Sequence, residues 1–217
     1  MKKLFLLALT FAASFGYSQT LNIEFGSAIG PTPDFDGLFF TDPQGVRFPV
    51  DGSSQASLSV GYFAEAPTTG QSLSNYISDF QLVGVSQSFT GGTSPGFFPA
   101  SEAVTGTEAT TAGGNQAYVF VLGGVDSFSS AAEASSYGLF SNSSGWDITS
   151  LSGSSSAATD TFRTLQPDTI IAGNLTSVSD GFEFQAIPEP SAYATILGLL
   201  GLGYAVFCRR RRSSSTD

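Results

Sequence analysis

The residues predict a mainly β protein: an antiparallel β-sandwich-like single domain with one or two short helices, flanked by an N-terminal signal peptide and one C-terminal transmembrane helix. Two observations carry the β reading. Short apolar runs alternate with clusters of Gly, Ser, Pro and Asp, the spacing of strands joined by turns. Phe is abundant, at 20 residues, while charged residues are only 12% of the 217-residue chain. That charge content is about half the usual share of roughly 25%. The aromatic content excludes a plain disordered composition and supplies apolar area for a core.

Eight runs read as strands: Leu21 to Phe25, Val46 to Val50, Ala56 to Phe63, Gln81 to Phe89, Ala117 to Leu122, Tyr137 to Phe140, Thr169 to Ile171 and Gly181 to Phe184. Leu58, Val60 and Tyr62 alternate with Ser59, Gly61 and Phe63, and Phe182 and Phe184 flank Glu183. Such alternation is the pattern of a half-buried strand. Tyr118 to Leu122 is continuously apolar and reads as a central strand buried on both faces. One segment has helical period: Leu73, Tyr76, Ile77 and Phe80 fall at i, i+3, i+4 and i+7, with Ser72 placed to cap the start. A second short helix is predicted around Ser129 to Ser136. Thr105 to Gly114 and Ser152 to Ala158 are low-complexity and predict flexible loops.

Charge is unevenly placed. Lys2, Lys3 and Arg209 to Arg212 lie toward the ends. Between Thr20 and Ile187 only Arg47 and Arg163 are basic, against 16 of the chain's 18 carboxylates. Such a body repels nucleic-acid phosphates and anionic lipid headgroups, so no nucleic-acid partner is expected. It would attract divalent cations or basic partners, and as a plain solvated surface it keeps a protein soluble. There is no histidine, the commonest general base and metal ligand. Cys208 is the only cysteine, so the body has neither disulfide nor thiol and depends on packing and hydrogen bonds.

The ends divide the chain into three parts: a signal peptide over 1–18, a β-rich exported domain over 19–186 and an anchor segment over 187–217. Lys2 and Lys3 form a positive n-region, and Leu4 to Phe15 an apolar h-region. Gly16 and Ser18 are small residues at positions −3 and −1 for cleavage before Gln19. Ser191 to Cys208 carries no charge. As a helix its 18 residues cover roughly 27 Å, close to the hydrocarbon thickness of a bilayer. Arg209, Arg210, Arg211 and Arg212 follow at once and set the orientation, holding that end in the cytoplasm. Just before the span stands Pro188-Glu189-Pro190, whose prolines favour extended, accessible chain.

Pro188-Glu189-Pro190, then Ser191, a Gly/Leu-rich span and the arginine cluster resemble the PEP-CTERM sorting signal. The resemblance covers Ile187 to Asp217; the tail from Ser213 to Asp217 runs slightly past the arginines. It implies export, a membrane-held intermediate, and processing near the motif by an exosortase. It also implies delivery to the cell surface or the exopolysaccharide and biofilm matrix of a Gram-negative-type bacterium. The partners implied are the exosortase, the export machinery and the membrane. The body resembles exported proteins found beside such signals in verrucomicrobial-type genomes. Asp36-Gly37, Gly61-Tyr62-Phe63, Tyr118 to Asp126, Tyr137-Gly138-Leu139-Phe140 and Ser144-Gly145-Trp146 carry that likeness.

The body shows no catalytic constellation, and the chain is expected to be no enzyme and to need no cofactor. Asp34-Phe35-Asp36-Gly37 opens like a calcium loop, but the fifth and twelfth positions hold Leu38 and Gly45, so an EF-hand fails. A different calcium site borrowing Asp42 or Asp51 stays open. No pair of acids is marked as a glycosidase pair. Without histidine or a body lysine, the usual activation of a Ser nucleophile is missing. Gly91-Gly92 and Gly123-Gly124 lack the Lys or the spacing of a phosphate loop. Trp146 beside Asp147 is either a sugar-stacking platform or a core aromatic; Tyr62 and Tyr137 are further candidate stacking residues. Asn142-Ser143-Ser144 and Asn174-Leu175-Thr176 fit the glycosylation acceptor pattern, which carries little weight in a bacterium. Two function classes follow: a structural or interaction protein of the cell surface or matrix, and a carbohydrate-binding module of that matrix. A two-carboxylate hydrolase is a distant third.

Overall fold

The structure, a computed structural model, describes residues 19–26, 39–47, 55–89, 99–151, 157–163, 168–175 and 181–187, together with Leu199, Leu200, Leu202 and Tyr204. Strand β1 spans Thr20–Gly26, β2 Phe39–Thr41 and β3 Ala56–Phe63. Helix α1 (Leu73–Asp79) runs directly into β4 (Phe80–Leu82), and β5 (Gln87–Phe89) follows. Strand β6 (Pro99–Thr105) precedes helix α2 (Thr107–Ala112) and β7 (Tyr118–Gly123). A 3-10 helix, Phe128–Glu133, leads into β8 (Ser136–Ser141). The remaining strands are β9 (Ala157–Arg163), β10 (Thr169–Ala172), β11 (Asn174–Leu175), β12 (Gly181–Glu183) and β13 (Gln185–Ala186).

Among the described residues the strands build three sheets. A seven-stranded sheet has the order β10-β8-β7-β3-β4, with β13 also pairing β8 and β5 also pairing β3. All its pairings are antiparallel. Two three-stranded sheets, β6-β1-β9 and β11-β12-β2, complete the set. The expected mainly β, antiparallel architecture with few short helices holds, with two exceptions: β1 runs parallel to β9, and β12 parallel to β2. Each parallel pair joins segments more than a hundred residues apart in sequence, Phe25 to Phe162 and Phe182 to Phe40. Shared burial of those rings selects the partners, and a local pattern carries no record of that choice.

The large sheet is covered on both faces. On one, Leu58, Val60, Val119, Val121 and Phe140 pack with Leu21, Ile23 and Phe25 of β1, Phe162 of β9, and Phe40 and Phe182 of the other small sheet. On the other, Phe63, Tyr118, Phe120, Leu122, Tyr137 and Leu139 meet Tyr76 of α1 and Ala131 of the 3-10 helix. The continuous apolar run of β7 is thus explained, because every residue of that strand is buried. The half-buried reading of β3 is corrected by the same geometry. Only Tyr62 is partly exposed, and even Ser57 and Ser59 are buried. The Ser59 hydroxyl donates to Ser86 Oγ at 3.0 Å. Among the described residues the Ser57 hydroxyl has no hydrogen-bond partner.

Helix α1 follows its period, with the Ser72 hydroxyl accepting from the Asn75 N–H at 3.4 Å. The second expected helix is present as the 3-10 segment. The expected strand over 81–89 is two strands. The chain breaks between them at Gly84 (φ +77°), whose N–H donates to the Glu108 carboxylate at 2.6 Å. Glu108 belongs to α2, in a stretch expected to be a flexible loop. Ala109 and Ala112 lie three residues apart on one helical face and are buried, which holds that turn in place. The expected strand at Val46 to Val50 is reduced to one bridge, Arg47 to Thr41, with residues 48–50 outside the described set. The Arg47 guanidinium lies 4.2 Å from the Phe39 ring centre. Of the second expected loop, Ala157 and Ala158 begin β9, and residues 152–156 are outside the described set.

The predicted signal peptide, 1–18, is outside the described residues. So is most of the predicted span 191–208, of which Leu199, Leu200, Leu202 and Tyr204 are helical and exposed. No helix among the described residues is long and apolar enough to cross a membrane.

Candidate functional site

The large sheet has two ends of different character. At one, Ala56 of β3, Gly123 of β7 and Ser136 of β8 stand side by side. A row of backbone bonds closes this end. Gly124 N–H donates to Gln55 O at 2.8 Å, and Ser135 N–H to Gly123 O at 2.9 Å. Ile187 N–H then donates to Ser135 O at 3.2 Å. Just inside that row, Gln185 pairs with Tyr137 and Ala186 with Ser136. Gly124 has φ +85°, and a Cβ there would stand 2.8 Å from Ser135 Oγ, so the row requires glycine at this turn. The folded body therefore runs, hydrogen-bonded, up to the residue before Pro188.

At the other end, the segment after β3 and the end of α1 enclose an open groove of about 520 Å³. Phe63, Glu65, Pro67, Gln71, Asp79 and Gln81 are among its lining residues. Tyr76 fixes two of its lining residues, Thr68 and Gln71. Its hydroxyl donates to Thr68 O at 2.8 Å and accepts from the Gln71 N–H at 3.1 Å, while the ring is buried. The lining carries two carboxylates, Glu65 and Asp79, and no cationic side chain. Asp79 accepts the Ser78 hydroxyl at 3.0 Å. No local motif marked this groove, because its lining comes from a loop, a helix end and a neighbouring strand.

Trp146 is not a sugar-stacking platform. It is 4% exposed, with ring centres 5.6 Å from Phe25, 6.1 Å from Phe140 and 5.8 Å from Phe162. Its loop is held at two points. The Gln116 amide donates to Trp146 O at 3.1 Å. Asp160 accepts the Thr149 N–H at 2.7 Å and the Thr149 hydroxyl at 2.5 Å. Tyr137 is buried as well, and Tyr62 is half-buried. Burial pushes the Tyr118 and Tyr137 phenols above their ordinary range; for Tyr137 the neighbouring Tyr76 adds to it.

The remaining candidates take structural roles or lie outside the described residues. Asp42 accepts the N–H groups of Gln44 at 2.9 Å and Val46 at 2.8 Å, closing a turn. Asn142 Oδ1 accepts the Ser144 N–H at 3.0 Å in a similar turn, and Asn174 opens β11. Exposed Asp168 is held below the usual carboxylate range, first by the Ser143 hydroxyl and then by its N–H, each at 2.7 Å. Among the described residues no three His, Cys, Asp or Glu gather as a metal site. Asp34, Asp36, Asp51, Pro188, Glu189, Pro190 and Arg209 to Arg212 are outside the described residues.

No curated protein and no solved structure matches the chain. The family model of the PEP-CTERM protein-sorting motif matches residues 186–212. That match opens on Ala186, the last residue of β13, and takes in Pro188 to Pro190, the apolar stretch and all four arginines. From the end of its last strand onward, then, this chain carries a PEP-CTERM protein-sorting motif, the mark of export and of sorting through an exosortase.

Proposed function

We propose that this chain is a structural or interaction protein of the cell surface or extracellular matrix, held briefly at the membrane and released there by an exosortase. The observation that carries the reading is the sorting motif at residues 186–212, joined without a linker to a folded β body. The acidic composition supports it, since 16 carboxylates against Arg47 and Arg163 favour a solvated, non-adhesive surface. Lys2, Lys3 and the h-region start export, the span from Ser191 halts it, and Arg209 to Arg212 set its direction. Pro188-Glu189-Pro190 is then the segment offered to the enzyme.

The same reading assigns the body no catalytic role and no cofactor. The chain has no histidine, and Cys208 is its only thiol. The carbohydrate-binding alternative loses its best residue with the burial of Trp146. Intact mass of the protein released from its native host tests the proposal. The expected product begins at Gln19 and ends beyond Ile187, without the apolar stretch. A released or surface-held form that keeps Arg209 to Arg212 would overturn processing at the motif.

A further inference from the structure

We propose that in the membrane-held intermediate the body stands upright. Its Gln55–Gly124–Ser135 end faces the lipid surface, and the groove beside Glu65 and Asp79 points away from it. This rests on the sorting reading above, and it follows from where the ordered chain ends. Ile187 is tied into the closing row of the large sheet through Ser135. Only Pro188, Glu189 and Pro190 separate it from Ser191, the first residue of the apolar stretch. Four chain steps of at most about 3.6 Å reach no more than roughly 14 Å. Two of the three linking residues are proline, whose ring restricts the backbone further. The end of the sheet that holds Ile187 is therefore tethered within roughly 14 Å of the apolar stretch, about two headgroup layers.

The groove lies at the opposite end of the same strands. Ala56 of β3 pairs at the Gly123 and Phe89 end, while Phe63 at the other end of β3 lines the groove. Seven residue steps at about 3.3 Å place the two ends of β3 roughly 23 Å apart. That exceeds the screening length of about 8 Å at physiological salt. Glu65 and Asp79 are thus held beyond the repulsion of anionic headgroups. Upright, the groove is open to whatever lies outside the cell.

The chain itself supplies the test, because its body has no cysteine. Full-length protein with Cys208→Ser is reconstituted into anionic phospholipid vesicles containing a headgroup nitroxide lipid. It carries one fluorophore on a single engineered cysteine. Gln55→Cys and Asp126→Cys report on the Ile187 end, Glu65→Cys and Asp79→Cys on the groove end; all four positions are exposed. Several-fold stronger quenching at 55 and 126 than at 65 and 79 is expected. Equal quenching at both ends, or the reverse order, would overturn the upright orientation while leaving the sorting reading intact. Protein that fails to co-float with the vesicles would overturn the membrane-held intermediate itself, and the orientation with it. Two reporters at each end keep the result readable if one substitution disturbs folding.

Discussion

The Phe182 ring occupies the space above Gly138, where a Cβ on that glycine would stand 2.4 Å from the ring edge. Gly173, at φ +99°, leaves the other side open, with a Cβ there 2.6 Å from the same ring. Gly138 of β8 and Gly173, the residue between β10 and β11, thus form a slot for an aromatic of a smaller sheet. Phe140, 4.7 Å from Phe182 between ring centres, and Phe40, at 6.1 Å, hold the ring in the slot. Gly138→Ala is therefore expected to lower unfolding free energy by about 1–3 kcal/mol through overpacking. Adding Phe182→Leu should recover part of that loss in urea unfolding, since the smaller side chain vacates the space. Strictly additive losses would show that the slot is not what the alanine disturbs.

Trp146 joins β1, β8 and β9 through Phe25, Phe140 and Phe162. Trp146→Ala should cost about 3–5 kcal/mol, the range for deleting a buried large aromatic. Denaturant titration checks the size. On a glycan array the folded protein should show no binding that depends on this ring, because the ring has no free face.

The loop carrying Trp146 is fastened by Thr149 and Asp160. Asp160 is 8% exposed and receives both the N–H and the hydroxyl of Thr149. Asp160→Ala takes the charged acceptor from the part-buried Thr149 N–H and from its hydroxyl and should cost about 2–3 kcal/mol, against about 1 kcal/mol for Thr149→Val. The double variant should be less damaged than the sum of the two. Full additivity in thermal or urea unfolding would mean that the pair does not act as a unit.

Alkaline titration should report the burial of Tyr118 and Tyr137. Tyr118 and Tyr137 are raised above the ordinary value of 10.0, chiefly by burial. For a group raised in the folded state, the stabilising contribution is complete below the unfolded value. It is lost as pH climbs from that value through the folded one, because the unfolded chain releases the proton first. Stability should therefore fall with rising pH above about 10. Ultraviolet difference spectra should show the Tyr118 and Tyr137 phenols ionising only as the sheet opens. Tyr118→Phe and Tyr137→Phe should each remove part of that slope. Unchanged slopes would place the alkaline sensitivity elsewhere.

Much of the local structure was legible in the residues. The i, i+3, i+4, i+7 spacing from Leu73 to Phe80 marked α1, and the apolar run from Tyr118 to Leu122 marked the central strand. Both signals belong to one element and its own burial. The short strands at Phe39–Thr41 and Asn174–Leu175 went unread, because two or three residues carry no period. Ala109 and Ala112 hid a helix inside a polar, low-complexity stretch, since two buried methyls were the whole of its apolar face.

The amino-acid order alone determined the β class, the acidic body and the sorting motif. Those are properties of composition, of alternation and of a contiguous run from Ala186 to Arg212. Tertiary structure decided which strands became partners, with β1 beside β9 and β2 beside β12. It also decided that Trp146 is core, that Glu65 and Asp79 share a groove, and that the groove stands at the far end of the sheet from Ile187. The physical reason is the same in each case. Burial and long-range pairing are settled by contacts between residues far apart in the chain, and a side chain's character leaves open which distant surface it will meet.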